Sequence, residues 1–141
     1  MTETTDQTSK TPGIVIFTAV LNFISVAFFL FVAGLSLLAV IFGNILGLAD
    51  FVSQQISRYS PSPNFSYGLT FVFLTIFFVS LISLLYFLFI GVGLLSGKTL
   101  AWYLQIAMSI LGLLGFPIFT ILNGFILFSF FRAPVREYFK V

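Results

Sequence analysis

Ile14–Phe42 reads IVIFTAVLNFISVAFFLFVAGLSLLAVIF, and Tyr67–Leu95 reads YGLTFVFLTIFFVSLISLLYFLFIGVGLL; neither contains Asp, Glu, Lys, Arg or His. A run of about 18 or more apolar residues without charge is the signature of a helix that crosses a bilayer. Two further runs without charge follow, Leu100–Phe116 and Pro117–Phe131. At about 1.5 Å per residue the first two reach about 43 Å each and the last two about 24 Å each. A hydrocarbon core is about 30 Å thick. The sequence therefore predicts an all-α integral membrane protein, a bundle of four transmembrane helices at 14–42, 67–95, 100–116 and 117–131. Gly115-Phe116-Pro117 would close a helical hairpin, with Pro117 at the first helical position, where its missing N–H costs nothing. A re-entrant hairpin that stops short of the far side is the alternative, and it would leave the termini on the same side.

Composition removes many chemistries. The chain has 141 residues, 60% hydrophobic and 7% charged, with a mean hydropathy of +1.17. A soluble domain of that size could not keep so much apolar surface from water. His and Cys are absent, so the usual zinc, copper, haem and iron–sulfur ligand sets are missing, as are disulfides. The four acids, Glu3, Asp6, Asp50 and Glu137, all lie outside the apolar runs. No carboxylate pair shares a regular element, and no nucleophile–base pair is visible, so a non-enzymatic protein without cofactor is expected. A net charge of only +2 gives no support to nucleic-acid binding. Ile14–Phe42 is too long for the apolar core of a signal peptide and has only Lys10 before it, so it reads as a retained helix.

Residues 1–13, rich in Thr and Ser, read as a disordered tail. Lys10 precedes span one, Lys98 lies between spans two and three, and Arg132, Arg136 and Lys140 follow span four. With four crossings these segments share a side and hold every Lys and Arg except Arg58. Positive charge collects on the cytoplasmic side, which puts both termini there.

Residues 43–66 form the one sizeable outer loop. Ile45, Leu48, Ala49, Val52, Ile56 and Tyr59 recur with the period of an amphipathic helix lying at a membrane surface. It would either cap the bundle or dock a partner, and Ser60-Pro61-Ser62-Pro63 would end it. Asn64-Phe65-Ser66 matches a glycosylation sequon, a tripeptide common by chance.

Asn22, Gln105 and Asn123 place an amide in each of three spans, at about 8–12 Å from the cytoplasmic boundary, and Tyr86 reaches a similar depth from the fourth. An unpaired amide in lipid costs several kcal/mol, so these groups should face inward and pair. One meaning is an interhelical layer that fixes rotation and register; the other is a polar solute or water site. Gly34, Gly93, Gly112 and Gly124 would let helices approach closely. Gly91–Thr99 looks superficially like a phosphate-binding loop, but Val92 stands where the first Gly must be, so no nucleotide is expected. Trp102 and Tyr103 would anchor the start of span three at the interface. Residues 132–141 would form a short surface helix from Pro134. Its Val135, Tyr138 and Phe139 would face lipid, with Arg132, Arg136 and Lys140 near anionic headgroups.

Gly97-Lys98-Thr99-Leu100-Ala101-Trp102, paired with Arg132-x-Pro134-Val135-Arg136-x-Tyr138-Phe139, resembles small multi-span membrane proteins of prokaryotes. In those a G-K/R-x-x-A-W turn precedes a helical hairpin ending in R-P-x-V-R/K-x-Y-F. The likeness covers about the last third of the chain and departs at Ala133, inserted between Arg132 and Pro134. It implies a bacterial or archaeal cytoplasmic membrane and no particular activity. The role expected is that of an accessory or structural subunit, with membrane lipids and other membrane subunits or copies of itself as partners. The alternative is a homo-oligomeric channel or carrier for a neutral or lipid-like solute.

Overall fold

The computed structural model describes residues 10–47, 51, 54–55, 65–114 and 117–141. Among these residues the chain is all-α, with five helices and no strand. They are α1 (Gly13–Ile45), α2 (Phe65–Leu95), α3 (Thr99–Leu113), α4 (Pro117–Phe130) and α5 (Ala133–Phe139). Each of the four apolar runs lies over one of α1 to α4. Gly13–Gly43 and Tyr67–Leu95 are long and apolar enough to cross a membrane; the apolar stretches of α3 and α4 are shorter. The N-terminal tail up to residue 9, most of the expected outer amphipathic helix, the sequon Asn and the Gly115–Phe116 turn lie outside the described residues.

The chain divides into two compact units, residues 1–24 with 87–141, and residues 25–86. In the second unit Ala33, Ser36 and Ser80 are buried. All three are small, the residue type that lets helices approach when apolarity alone gives no inward drive. Gly34 was expected to serve the same end, but a Cβ there would meet nothing within 4 Å. It turns to the open side of the helix, one position round from Ala33.

The first unit holds the core. Val15, Thr18, Ala19 and Asn22 form one helical stripe of α1, and Ile90 and Leu94 lie one turn apart on α2. Ala101, Trp102, Gln105 and Ser109 supply α3's face, Ile126, Ser129 and Phe130 that of α4, and Val135 and Phe139 that of α5. Glycine permits close approach at two places on α2. A Cβ on Gly91 would lie 3.3 Å from the Phe23 ring, and one on Gly93 would lie 2.7 Å from the Ala101 Cβ. At the second, the α2 backbone rests directly on α3.

The turn that reverses α2 into α3 is a glycine C-cap. Gly97 has φ +64°, which an L side chain adopts only at a cost of about 1–2 kcal/mol. The Lys98 N–H donates to the Gly93 carbonyl at 2.9 Å, and the Gly97 N–H to the Leu94 carbonyl at 3.2 Å. That bond pair is the Schellman pattern, which satisfies carbonyls left over at a helix end. It also accounts for the Gly–Lys–Thr spacing: two amides that a phosphate-binding loop would point at its ligand are spent closing α2. The same pattern ends α5. There Lys140, at φ 56°, takes the place of glycine, and the Val141 N–H donates to the Arg136 carbonyl at 3.0 Å.

The two capped ends cap one another. The Tyr138 phenol donates to the Leu95 carbonyl at 2.8 Å, and the Thr99 hydroxyl donates to the Phe139 carbonyl at 2.9 Å. The Tyr138 ring lies over Gly97, where a Cβ would stand 3.5 Å from Cζ. The Trp102 indole N–H donates to the Phe130 carbonyl at 3.3 Å, and the rings of Phe130 and Phe139 stack at 6.3 Å. One expectation is thereby corrected. The Val135/Phe139 face of α5 packs on protein, at 2% and 0% exposure, instead of facing lipid. The reason is that a helix of seven residues cannot stand alone and gains its order from these contacts.

Gly97→Ala should therefore lower stability by about 1–2 kcal/mol, read as the unfolding midpoint in a fixed detergent. Tyr138→Phe should lose about 0.5–1.5 kcal/mol. The two losses should not add, because both act on one junction.

Candidate functional site

Two places gather the polar and charged side chains of the first unit: a buried amide cluster and a cationic cleft. The cluster starts at Asn22, which lies on the buried stripe of α1. Its Nδ2 donates to Gln105 Oε1 at 2.9 Å and to the Thr18 carbonyl at 3.0 Å. Gln105 Nε2 donates in turn to Ser109 Oγ at 3.4 Å. Thr18 Oγ1 donates to the Ile14 carbonyl at 2.8 Å. Asn22 and Gln105 are 5% and 6% exposed, and Ser109 is fully buried. Among the described residues no buried side-chain nitrogen or oxygen lacks a partner. What the arrangement does chemically is join α1 to α3 at one rotation and one height.

Within the first unit the structure places three of the four residues expected in one polar layer. Asn22 and Gln105 meet. Asn123 packs instead against Gly112, so close that a Cβ there would overlap its amide. Gly112 is two turns, about 10 Å, beyond Gln105 along α3. Asn123 thus belongs to the contact between α3 and α4, where Thr120 Oγ1 also donates to the Leu113 carbonyl at 3.1 Å. Tyr86 falls in the other compact unit. Thr18 and Ser109 are members that sequence reasoning missed. Each stands one turn from an amide on the same face, and that spacing is the signal that could have found them.

The cleft, about 540 Å³, lies where α3 begins and α5 ends, lined by Thr99, Trp102, Tyr103, Phe131, Arg136, Lys140 and Val141. Of the residues expected as interfacial anchors, Tyr103, Arg132, Arg136 and Lys140 are exposed, and Tyr138 is half-buried. Trp102 is buried at 7% exposure, its N–H turned inward to the Phe130 carbonyl. It meets Tyr103 and Phe131 edge-on, at centroid distances of 4.9 and 5.9 Å. Arg132 lies over the Phe128 ring, 5.1 Å from its centroid. Glu137 is the one acid among the described residues, and none of those residues forms a cluster of metal-ligating side chains.

No family model matches this chain. No curated protein and no solved structure matches it either.

Asn22→Leu should cost about 1–3 kcal/mol of unfolding free energy, because it leaves the Gln105 carbonyl buried without its donor. Asn22→Leu/Gln105→Leu should cost less than Asn22→Leu alone, since removing both partners avoids the unpaired group. Denaturation of both variants in one detergent checks the order.

Proposed function

We propose that this chain is a non-enzymatic integral membrane protein that acts as an accessory or structural subunit of a larger membrane assembly. It is a four-helix bundle with both termini on the cytoplasmic side. The observation that carries this reading is the exposure of the two long helices. Only 11% of the most apolar window of each is buried, and Phe28, Leu30, Phe31, Phe71, Val79 and Ile82 are all more than half exposed. A helix apolar on every side requires a core or a membrane around it. Here so little of it is covered by protein that hydrocarbon or partner helices must supply the surroundings.

Positive charge on the Lys10, Lys98 and Arg132–Lys140 segments supports the orientation. At 15 and 14 residues, α3 and α4 reach only about 21–23 Å, so their hairpin would stop short of the outer hydrocarbon boundary. Asn22, Gln105 and Ser109 are consumed in bonds to one another, which favours a structural over a solute-binding role. With Asn22, Gln105 and Ser109 turned inward and the large apolar side chains of α1 and α2 outward, the chain has the surface of a subunit that packs against other helices.

Extraction from the native membrane into a mild detergent, followed by mass analysis of the intact particle, tests this. A stoichiometric partner or a defined oligomer is expected. A monodisperse monomer that brings down nothing at native abundance would contradict the subunit role.

A further inference from the structure

The cleft between the start of α3 and the end of α5 combines features that neither bundle packing nor capping uses. Arg136 and Lys140 line it, both are exposed, and among the described residues neither side chain is in an ion pair. The other wall is aromatic: Trp102, Tyr103 and Phe131. Thr99 and Trp102 have already spent their donors on the Phe139 and Phe130 carbonyls. The free donors are therefore the guanidinium, the ammonium and the Tyr103 phenol, which is 58% exposed. Two cations and a phenol above an aromatic wall suit a phosphate that carries an organic substituent.

The surface beyond the cleft says what that substituent is. Tyr103, Ala107, Ile110 and Leu111 follow at i, i+4, i+7 and i+8 along α3, all exposed. Ile121, Phe125 and Phe128 do the same along α4, at 75%, 57% and 65% exposure. Two apolar stripes thus run away from the aromatic wall, one along α3 and one along α4. A free phosphate ion would have no use for them.

We propose that this cleft is a specific site for one anionic phospholipid, its phosphate held by Arg136 and Lys140 and its acyl chains lying on the exposed stripes of α3 and α4. The proposal rests on the reading of the chain as membrane-embedded. Arg132, engaged on Phe128, lies outside the cleft. Lys140 owes its place to the left-handed cap of α5, which turns the chain after Phe139 back towards Thr99.

Trp102 is the chain's only tryptophan and forms part of the wall, so its emission reads the site directly. The full chain in a neutral detergent is titrated with phosphatidylglycerol, with phosphatidylcholine and with inorganic phosphate. Native mass spectrometry of the same samples counts the bound lipids. A saturable change with phosphatidylglycerol at one lipid per chain, and none with phosphatidylcholine, is expected. At about fivefold per cation near a surface, Arg136→Gln/Lys140→Gln should weaken binding about thirtyfold. The charge-matched Lys10→Gln/Lys98→Gln should stay within about twofold, and Arg136→Lys/Lys140→Arg should retain most of the affinity.

Equal weakening by both neutralised pairs would mean diffuse attraction and overturn the site. So would an equal response to phosphatidylcholine, or saturation by inorganic phosphate at the same concentration as the lipid. Carbonate extraction separates this from the reading on which it rests. A chain released by carbonate that still binds phosphatidylglycerol specifically would sink the membrane-embedded bundle and leave the cleft standing. A chain retained in the membrane without a lipid-specific response would do the reverse.

Discussion

The 2.9 Å hydrogen bond from Asn22 to Gln105 is the contact on which the first unit depends. In apolar surroundings a Leu or Phe gains little by turning inward, because lipid tails are as apolar as the core. An amide has no such freedom, since leaving it unpaired costs several kcal/mol. Fixing Asn22 inward fixes the rotation of α1's first turns and brings Val15, Thr18 and Ala19 to the same buried stripe. It also sets Phe23 and the Asn22 Cβ against Gly91, which locates the end of α2. The polar pair, not the far more numerous Phe and Leu side chains, decides which face is inside.

A second constraint acts at the unit's end. Helix termini leave carbonyls without partners, and a reversal as tight as Ser96–Lys98 exposes several at once. They are satisfied by the Gly97 cap and by Tyr138, while Thr99 returns the service to α5. The turn and the short C-terminal helix are therefore one structural element divided between two places in the sequence. Gly97, Thr99 and Trp102 on one side meet Tyr138, Phe139 and Phe130 on the other. The segments Gly97–Trp102 and Arg132–Phe139 are thus in contact.

How much of this could be read from the sequence follows from the range of each interaction. The helices were legible because an unbroken apolar run is a local signal; α1 to α4 lie where the four runs do. The pairing of Asn22 with Gln105 was legible in kind, since a buried amide must find a partner. Its membership was not. Depth counted from an assumed boundary put Asn123 in the same layer, whereas Gly112 admits the Asn123 amide two turns further along α3. Burial of Trp102 and inward packing of Phe139 were hidden for a different reason. A ring at a helix end looks alike to the sequence whether it meets headgroups or another helix, and only the reciprocal caps bring α5 onto the α2–α3 turn. The cleft combines residues from both ends of a segment and has no signature in either.

The central claim is that α1 and α2 cross a bilayer with both termini on one side, and the absence of cysteine from the chain makes it directly measurable. Single cysteines introduced as Lys10→Cys, Arg58→Cys and Lys98→Cys can be challenged with a membrane-impermeant thiol reagent, in sealed vesicles of each orientation. Labelling of positions 10 and 98 from the cytoplasmic side only, and of position 58 from the opposite side only, is predicted. Labelling of positions 58 and 98 from the same side would contradict the account.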